Sequence, residues 1–476
     1  MTSELTNNKS TQKSKPIIIS YQDKTNGFDF DISGIKYSLV YPKNIWAGLS
    51  SPAKNILIKN FIYSRTAPLG VVLDQSSIYN FPQPFLKNFI DWGLTSDLPR
   101  ISEDLTIDTA KLARAFESYK NKKNKFLPTS RRETKLAPQK RTRGSRAILA
   151  LSFGKDSLLS YGLAKEIGLK CFIASVDDEI AKFDSTDYKF KRQIFAEFQK
   201  EQKEKINFLK DDVDFKEKVD QLISNKKIQK KAEDLEQANA MITFILELLP
   251  FAYYYQAKYI ILGNEKNFDD SFVNKFGVKA FPSYDQTTGY AKKANRELDK
   301  LTDSNLQAVS LVEPIYNLAE MKILYSRYPH LLKYMMSCAP EGDSEDRWCY
   351  DCPMCAKAFL YSMAVGGDPK KIGLNKNLFA KKYQPLYPLL AKKITRYYEK
   401  PPAVREEQLL AFLLAYRRGV KGELMEIFKR KYLEEAEKKE KQLRKKFFGI
   451  HQPINIPKDI KNKLLKIYQE ELGNLL

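Results

Sequence analysis

Residues 150–168, ALSFGKDSLLSYGLAKEIG, decide how the chain is read. An apolar run, RAILALS at 146–152, leads into this stretch, and an amphipathic run, SLLSYGLAKEIG at 157–168, leads out of it. Between them stand a glycine, a lysine and an aspartate, flanked by two serines. The first run is short and β-prone, whereas the second repeats its apolar positions at helical spacing, so the pattern is strand, tight loop, helix. A second apolar run, KCFIASVD at 170–177, follows, and AKYIILGNE at 257–265 supplies a further strand ending at a glycine. Strand, helix, strand in that order implies parallel pairing through a right-handed crossover. The fold class expected is α/β, a doubly wound parallel sheet.

In such a sheet ligands bind beyond the carboxyl ends of the strands, where loops feed helix N-termini that carry unpaired amides and a positive dipole end. Ser152 to Ser157 would sit there. Gly154 lets the backbone approach an oxyanion, Lys155 could neutralise it, and Ser152 and Ser157 can donate hydroxyl hydrogen bonds. Asp156 would repel a phosphate unless it capped the helix or held a metal ion. An ordinary capped turn between strand and helix would use the same residue types. The spacing does not fit the Walker-type loop, which needs a longer glycine-flanked run before its lysine.

The hexapeptide Ser152-Phe153-Gly154-Lys155-Asp156-Ser157 resembles the Ser-Gly-Gly-x-Asp-Ser loop of the PP-loop, or N-type, ATP pyrophosphatases, with Phe153 where that pattern has a glycine. The resemblance implies an adenine nucleotide alpha hydrolase-like fold that splits ATP into AMP and pyrophosphate and transfers AMP to an acceptor oxygen. It implies that residues 152–157 hold the phosphates with Mg2+, and that Asp177, Gly263 and Asn264 fall where the family contacts adenosine.

Four of the five cysteines, Cys338, Cys349, Cys352 and Cys355, have the spacing C-x10-C-x2-C-x2-C. Thiolates so arranged can surround one Zn2+ tetrahedrally and leave no open position, which is a structural site. Disulfides and an iron–sulfur cluster are the alternatives. Cys171 reads as a small core residue, and His330 and His451 are isolated. A cysteine cluster placed after a PP-loop domain is similar to that of the 7-cyano-7-deazaguanine synthases.

The chain is longer than those synthases. SFGKDS, ILGNEKNFDDS, FPSYDQTTGYAKKANREL and VSLVEPIYNLAEMKIL, followed by SCAPEGDSEDRWCYDCPMCAKAFL, resemble in order the UDP-N-acetylmuramoyl-L-alanyl-L-glutamate epimerases over residues 146–365. This resemblance implies that a terminal glutamate carboxylate is adenylated, which acidifies the α-hydrogen and allows inversion from L-Glu to D-Glu during peptidoglycan precursor synthesis. Lys155, Asp156 and Glu265 are then the candidate catalytic residues, Glu265 as general base. Glu265 also reads as a helix cap or salt-bridge partner. Tyr284 and Asp285 could face substrate or form a polar turn. The alternatives are a deazaguanine-synthase-like or tRNA-modifying ATP pyrophosphatase and a zinc-stabilised nucleotide-binding module without turnover.

The remainder of the chain frames this centre. A length of 476 residues with 43% hydrophobic composition supports several domains. Residues 1–15 read as a disordered tail without a signal-peptide core, residues 16–118 as a small α+β domain, and 119–145 as an exposed basic linker. The nucleotide domain is expected over 146–335, the zinc module over 336–365 and a helical region over 366–476. The most apolar stretch, 238–263, is interrupted by Glu247, Pro250 and Lys258, so it reads as a buried helix entering a strand rather than a membrane span. A cytoplasmic protein is expected, without membrane insertion. The net charge of +22, 80 basic against 58 acidic residues, suits an anionic partner: the UDP-linked muramoyl dipeptide, or RNA. General residue usage would produce the same excess.

Overall fold

In the computed structural model of the chain, residues 15–73, 75–128, 135–136, 145–177, 186–211, 222, 238–302, 306–338, 347–394 and 396–476 are described. The expected tail, Lys15 apart, and the linker segments 129–134 and 137–144 lie outside them. The N-terminal strands β1 (Ile17–Lys24), β2 (Gly27–Ile32) and β3 (Ile35–Val40) form an antiparallel meander. β4 (Ser77–Pro82) runs parallel to β1, and β5 (Asn124–Leu127) runs parallel to β4. The strand before the loop is β6 (Arg146–Ala150), followed by β7 (Lys170–Asp177), β8 (Ile206–Asp211) and β9 (Tyr259–Leu262). β10 (Phe272–Val273) and β11 (Lys279–Ala280) make a small hairpin, and β12 (Gln307–Ser310) completes the set.

All strands but the hairpin share one sheet of order β12-β9-β6-β7-β8-β3-β2-β1-β4-β5. From β12 to β8 the pairing is parallel throughout. These strands read as continuous apolar runs because both faces are covered. In β6, Ala147 and Leu149 enter one core with the helix Lys155–Glu166, while Ile148 enters the other with the helix Ala240–Tyr255. The chain leaves β6 for β7 on one side, whereas β9 lies on the other. The sheet therefore changes direction at β6, and the loop that follows it opens at that divide.

The strands read as a small N-terminal α+β domain extend this sheet. β3 pairs antiparallel with β8, Leu39 opposite Asp211 and Val40 opposite Lys210. Two edges that would each expose unpaired backbone groups thus close on one another. Arg65, from the helix Ser51–Thr66, braces the seam through Asp211 at 2.6 Å. The basic linker also begins later than its composition indicates. Tyr119 is buried, and residues 124–127 are the edge strand β5.

The apolar stretch 238–263 is a buried helix entering β9, as expected. Among the described residues no helix is long and apolar enough to cross a membrane. The C-terminal region is helical, with Pro402–Arg417, Glu423–Phe447 and Lys458–Leu472 packed on the core shared with the loop helix.

Candidate functional site

The loop turns at Phe153, whose φ of +60° lies in the left-handed region. A bulky side chain there carries about 1–3 kcal/mol of strain. Packing holds it in place: the ring is buried against Phe195 at 5.0 Å, Phe198 at 5.2 Å and Tyr334. The Phe153 carbonyl accepts the Met336 amide at 2.8 Å. The ring thus points into the core beneath the loop. Phe153→Gly would relieve the strain yet empty a large buried volume, so we expect a net loss of about 2–4 kcal/mol in urea unfolding. Unchanged stability would show that the ring does not hold the loop.

Gly154, in an extended conformation, precedes the helix Lys155–Glu166, and no side chain caps that helix. The Lys155 amide donates to Ser337 Oγ at 3.1 Å. Ser157 Oγ donates to the Gly154 carbonyl at 3.1 Å and lies 3.3 Å from Ser152 Oγ. Gly263 lets the end of β9 approach, since a Cβ there would stand 2.9 Å from that of Asp156.

Lys155 is the centre of the charge arrangement. Its buried ammonium contacts Asp156, Glu265 at 2.9 Å and Glu320 at 2.6 Å. Burial alone would lower the lysine pKa, but the charges of Asp156, Glu265 and Glu320 carry it well above the usual range. Burial also raises Asp156, but the Lys155 charge and the surrounding hydrogen bonds outweigh it and hold this carboxyl at about 2. Glu320 is pushed well up by burial and then by Asp156. Burial raises Glu265 too, against the pull of Lys155. Carboxylate oxygens of Asp156, Glu265 and Glu320 all lie within 4.8 Å of one another. Glu320 Oε1 has no hydrogen-bond partner, so a proton or a cation belongs there.

Beside this cluster, beyond the ends of β6, β7 and β9, is a cavity of about 390 Å³. Ser152, Asp156 and Ser157 line it from the loop, Gly263 and Asn264 from the end of β9, and Val176 from β7. That volume lies in the range of small-molecule sites. Phe153 is not among the lining residues. Asp177 ends β7, and its side chain lies outside the described residues. Lys155 and Glu265 stand behind Asp156, outside the cavity lining.

Several residues that pattern reading passed over join the site. Glu265 Oε1 accepts from Asn317 Nδ2 at 3.1 Å, and the Asn317 amide donates to Asn267 Oδ1 at 3.2 Å. Asn267 Nδ2 donates to Glu407 at 3.0 Å, which also accepts from the Tyr361 hydroxyl at 3.0 Å. Glu320 and Glu407 occupy buried positions on apolar helices, the one sequence signal that could have exposed them.

Tyr284 and Asp285 are not in the cavity lining. Asp285 accepts the Met241 amide at 2.8 Å and so holds the start of the helix Ala240–Tyr255. Burial, then the Asp97 charge, raises its carboxyl to about 6. The folded state therefore binds a proton that the unfolded chain releases near pH 4, and this contribution to stability disappears as pH rises through 6. Relative to wild type, Asp285→Asn should gain on the order of 3 kcal/mol between pH 4 and 7 in urea unfolding. A pH-independent difference would remove this residue as the source.

The four cysteines converge as expected. Cys338 Sγ lies 3.7 Å from Cys352, Cys349 Sγ lies 3.7 Å from Cys355, and Cys352 lies 3.5 Å from Cys355. Tetrahedral Zn–S bonds of about 2.3 Å imply S···S separations near ~3.8 Å, so the four thiols fit a metal ion such as zinc. All four are free of disulfide bonds. Met336 and Ser337, which hold the loop at 152–157, directly precede Cys338.

No protein-family model matches the chain, and no curated protein matches it. The site therefore rests on its own geometry: a loop, a carboxylate-bound lysine and four clustered thiols that could hold a metal, joined through residues 336–338.

Proposed function

We propose that the chain is a doubly wound ATP pyrophosphatase that adenylates an acceptor carboxylate, releasing pyrophosphate. The observation that carries this reading is the cavity at the divide of the parallel sheet, bordered by a loop and a helix N-terminus suited to a triphosphate. Ser152 and Ser157 would contact phosphate oxygens, while Asn264 and Val176 would border the nucleoside. Asp156 and Glu320 are the residues that would hold Mg2+, which would neutralise the triphosphate and its leaving group. The unpartnered Glu320 Oε1 is the atom such a cation would satisfy. Glu265 is placed between the loop and the polar chain through Asn317 and Asn267, where a general base for proton abstraction would act.

The acceptor is the glutamate end of UDP-N-acetylmuramoyl-L-alanyl-L-glutamate, inverted to D-Glu after adenylation. Motif order over residues 146–365 supports this substrate. Purified protein incubated with ATP, Mg2+ and this nucleotide should produce AMP and the D-Glu isomer, read by chiral amino-acid analysis after hydrolysis. AMP formation without inversion would reject the epimerase reading. AMP formation only with tRNA would reassign the acceptor to RNA.

A further inference from the structure

The cavity beside the loop extends well past it. Leu209 of β8 lines its far side, and β8 is the second strand from β6 in the sheet, roughly 10 Å away at the usual strand spacing. Between the two ends the walls are largely apolar: Val176 of β7, and Met241, Phe244 and Leu248 of the helix Ala240–Tyr255. One carboxyl interrupts them. Glu247, on the same helix, also lines the cavity and is only 1% exposed.

Arg65, on the helix Ser51–Thr66, shows where that carboxyl stands. A single guanidinium nitrogen lies 2.6 Å from Asp211 Oδ2, at the end of β8, and 3.6 Å from Glu247 Oε1. Glu247 is therefore at the β8 end of the cavity. The cation beside it comes from the N-terminal layer that joins the sheet through β3 and β8. Among the described residues Asp156 and Glu247 are the acidic groups in the cavity lining, one at each end. Asp156 is bound to Lys155 at the loop.

A carboxylate is an acceptor only, and a ligand that covers it has to bring a donor or the group loses its hydration without return. A phosphate brings none and is repelled. The anionic tail of a ligand thus belongs at the loop, a flat apolar body between the walls, and an N–H at Glu247.

Resting on the function proposed above, we infer that Glu247 selects the base of the nucleotide, accepting a hydrogen bond from the exocyclic amine of a 6-aminopurine. Arg65 is its positioning residue. Guanine carries a carbonyl where adenine carries this amine, so in the same pose two acceptors would face each other. The N-terminal strands thereby take part in nucleotide choice without touching the loop.

The test uses the full chain with its metal and Mg2+, and compares by calorimetry the binding of ATP and of purine riboside triphosphate, which has hydrogen in place of the 6-amino group. Wild type should bind ATP about 10-fold or more tightly, as loss of a hydrogen bond to a charged group does. Glu247→Leu removes the acceptor at similar volume, and the two nucleotides should then bind alike. Glu247→Gln keeps an acceptor oxygen and should retain part of the preference. Thermal unfolding reports whether each variant is folded, and the wild-type ratio needs neither. Equal binding of the two nucleotides by wild type, a preference that persists in folded Glu247→Leu, or GTP binding more tightly than ATP overturns the assignment of Glu247. Binding of neither triphosphate rejects the nucleotide reading of the cavity itself. A preference for ATP without AMP formation in the presence of the acceptor leaves Glu247 in its role and rejects the adenylation chemistry instead.

Discussion

Lys155→Met is expected to lower the free energy of unfolding by about 3–5 kcal/mol, because it leaves buried carboxylates without their cation. Sequence pattern alone casts this lysine as a group that neutralises an oxyanion. The structure places its ammonium against Asp156, Glu265 and Glu320, with only 9% of the side chain exposed. Without Lys155, the mutual repulsion of these groups favours their protonation, and Asp156 no longer stays at about 2. Carboxyls raised in the folded state withdraw stability as pH rises, so the deficit should widen from pH 4.5 to pH 8. Urea unfolding at the two pH values checks this, and an equal loss at both would show that packing rather than charge is responsible. Adding Glu265→Gln to Lys155→Met should recover part of the loss by removing one uncompensated charge. Any drop in ATP affinity for Lys155→Met has to be read against its stability, since this lysine is held by three carboxylates.

Removing the metal should have the other large effect. Elemental analysis should find about one zinc per chain, and chelation or Cys349→Ser should release it. A ligand bound only by the folded state adds about 4 kcal/mol at a thousandfold excess over its Kd, so thermal unfolding should shift accordingly. The consequence reaches beyond the cysteines. Cys338 follows Ser337, whose hydroxyl accepts the Lys155 amide, and Met336, whose amide donates to the Phe153 carbonyl. Freed of metal, this segment should release the loop, seen as faster amide exchange at Lys155 and Met336 and as weaker nucleotide binding. Metal loss that leaves amide protection at these two residues intact would show that the thiols and the loop are independent, and iron in place of zinc would change the metal assignment.

Local pattern carried the reading furthest where the chemistry is local. The strand–loop–helix at 146–166, the buried helix ahead of β9, and the convergence of Cys338, Cys349, Cys352 and Cys355 follow from spacing, because neighbours in sequence are there neighbours in space. Asp156, Gly263 and Asn264, distant in sequence, come together at the cavity because parallel strands deliver their ends to one edge of the sheet.

What the amino-acid order determined by itself, then, was the parallel core, the place of the loop and the clustering of four thiols. Only tertiary structure decided that the N-terminal strands join that core through β3 and β8, that Phe153 turns its ring inward, and that Glu320, 165 positions from Lys155, answers its charge. Edge pairing and buried ion contacts depend on which backbone groups and charges are left unsatisfied after the chain has packed. That remainder arises from long-range closure of the fold, and no local window of sequence contains it.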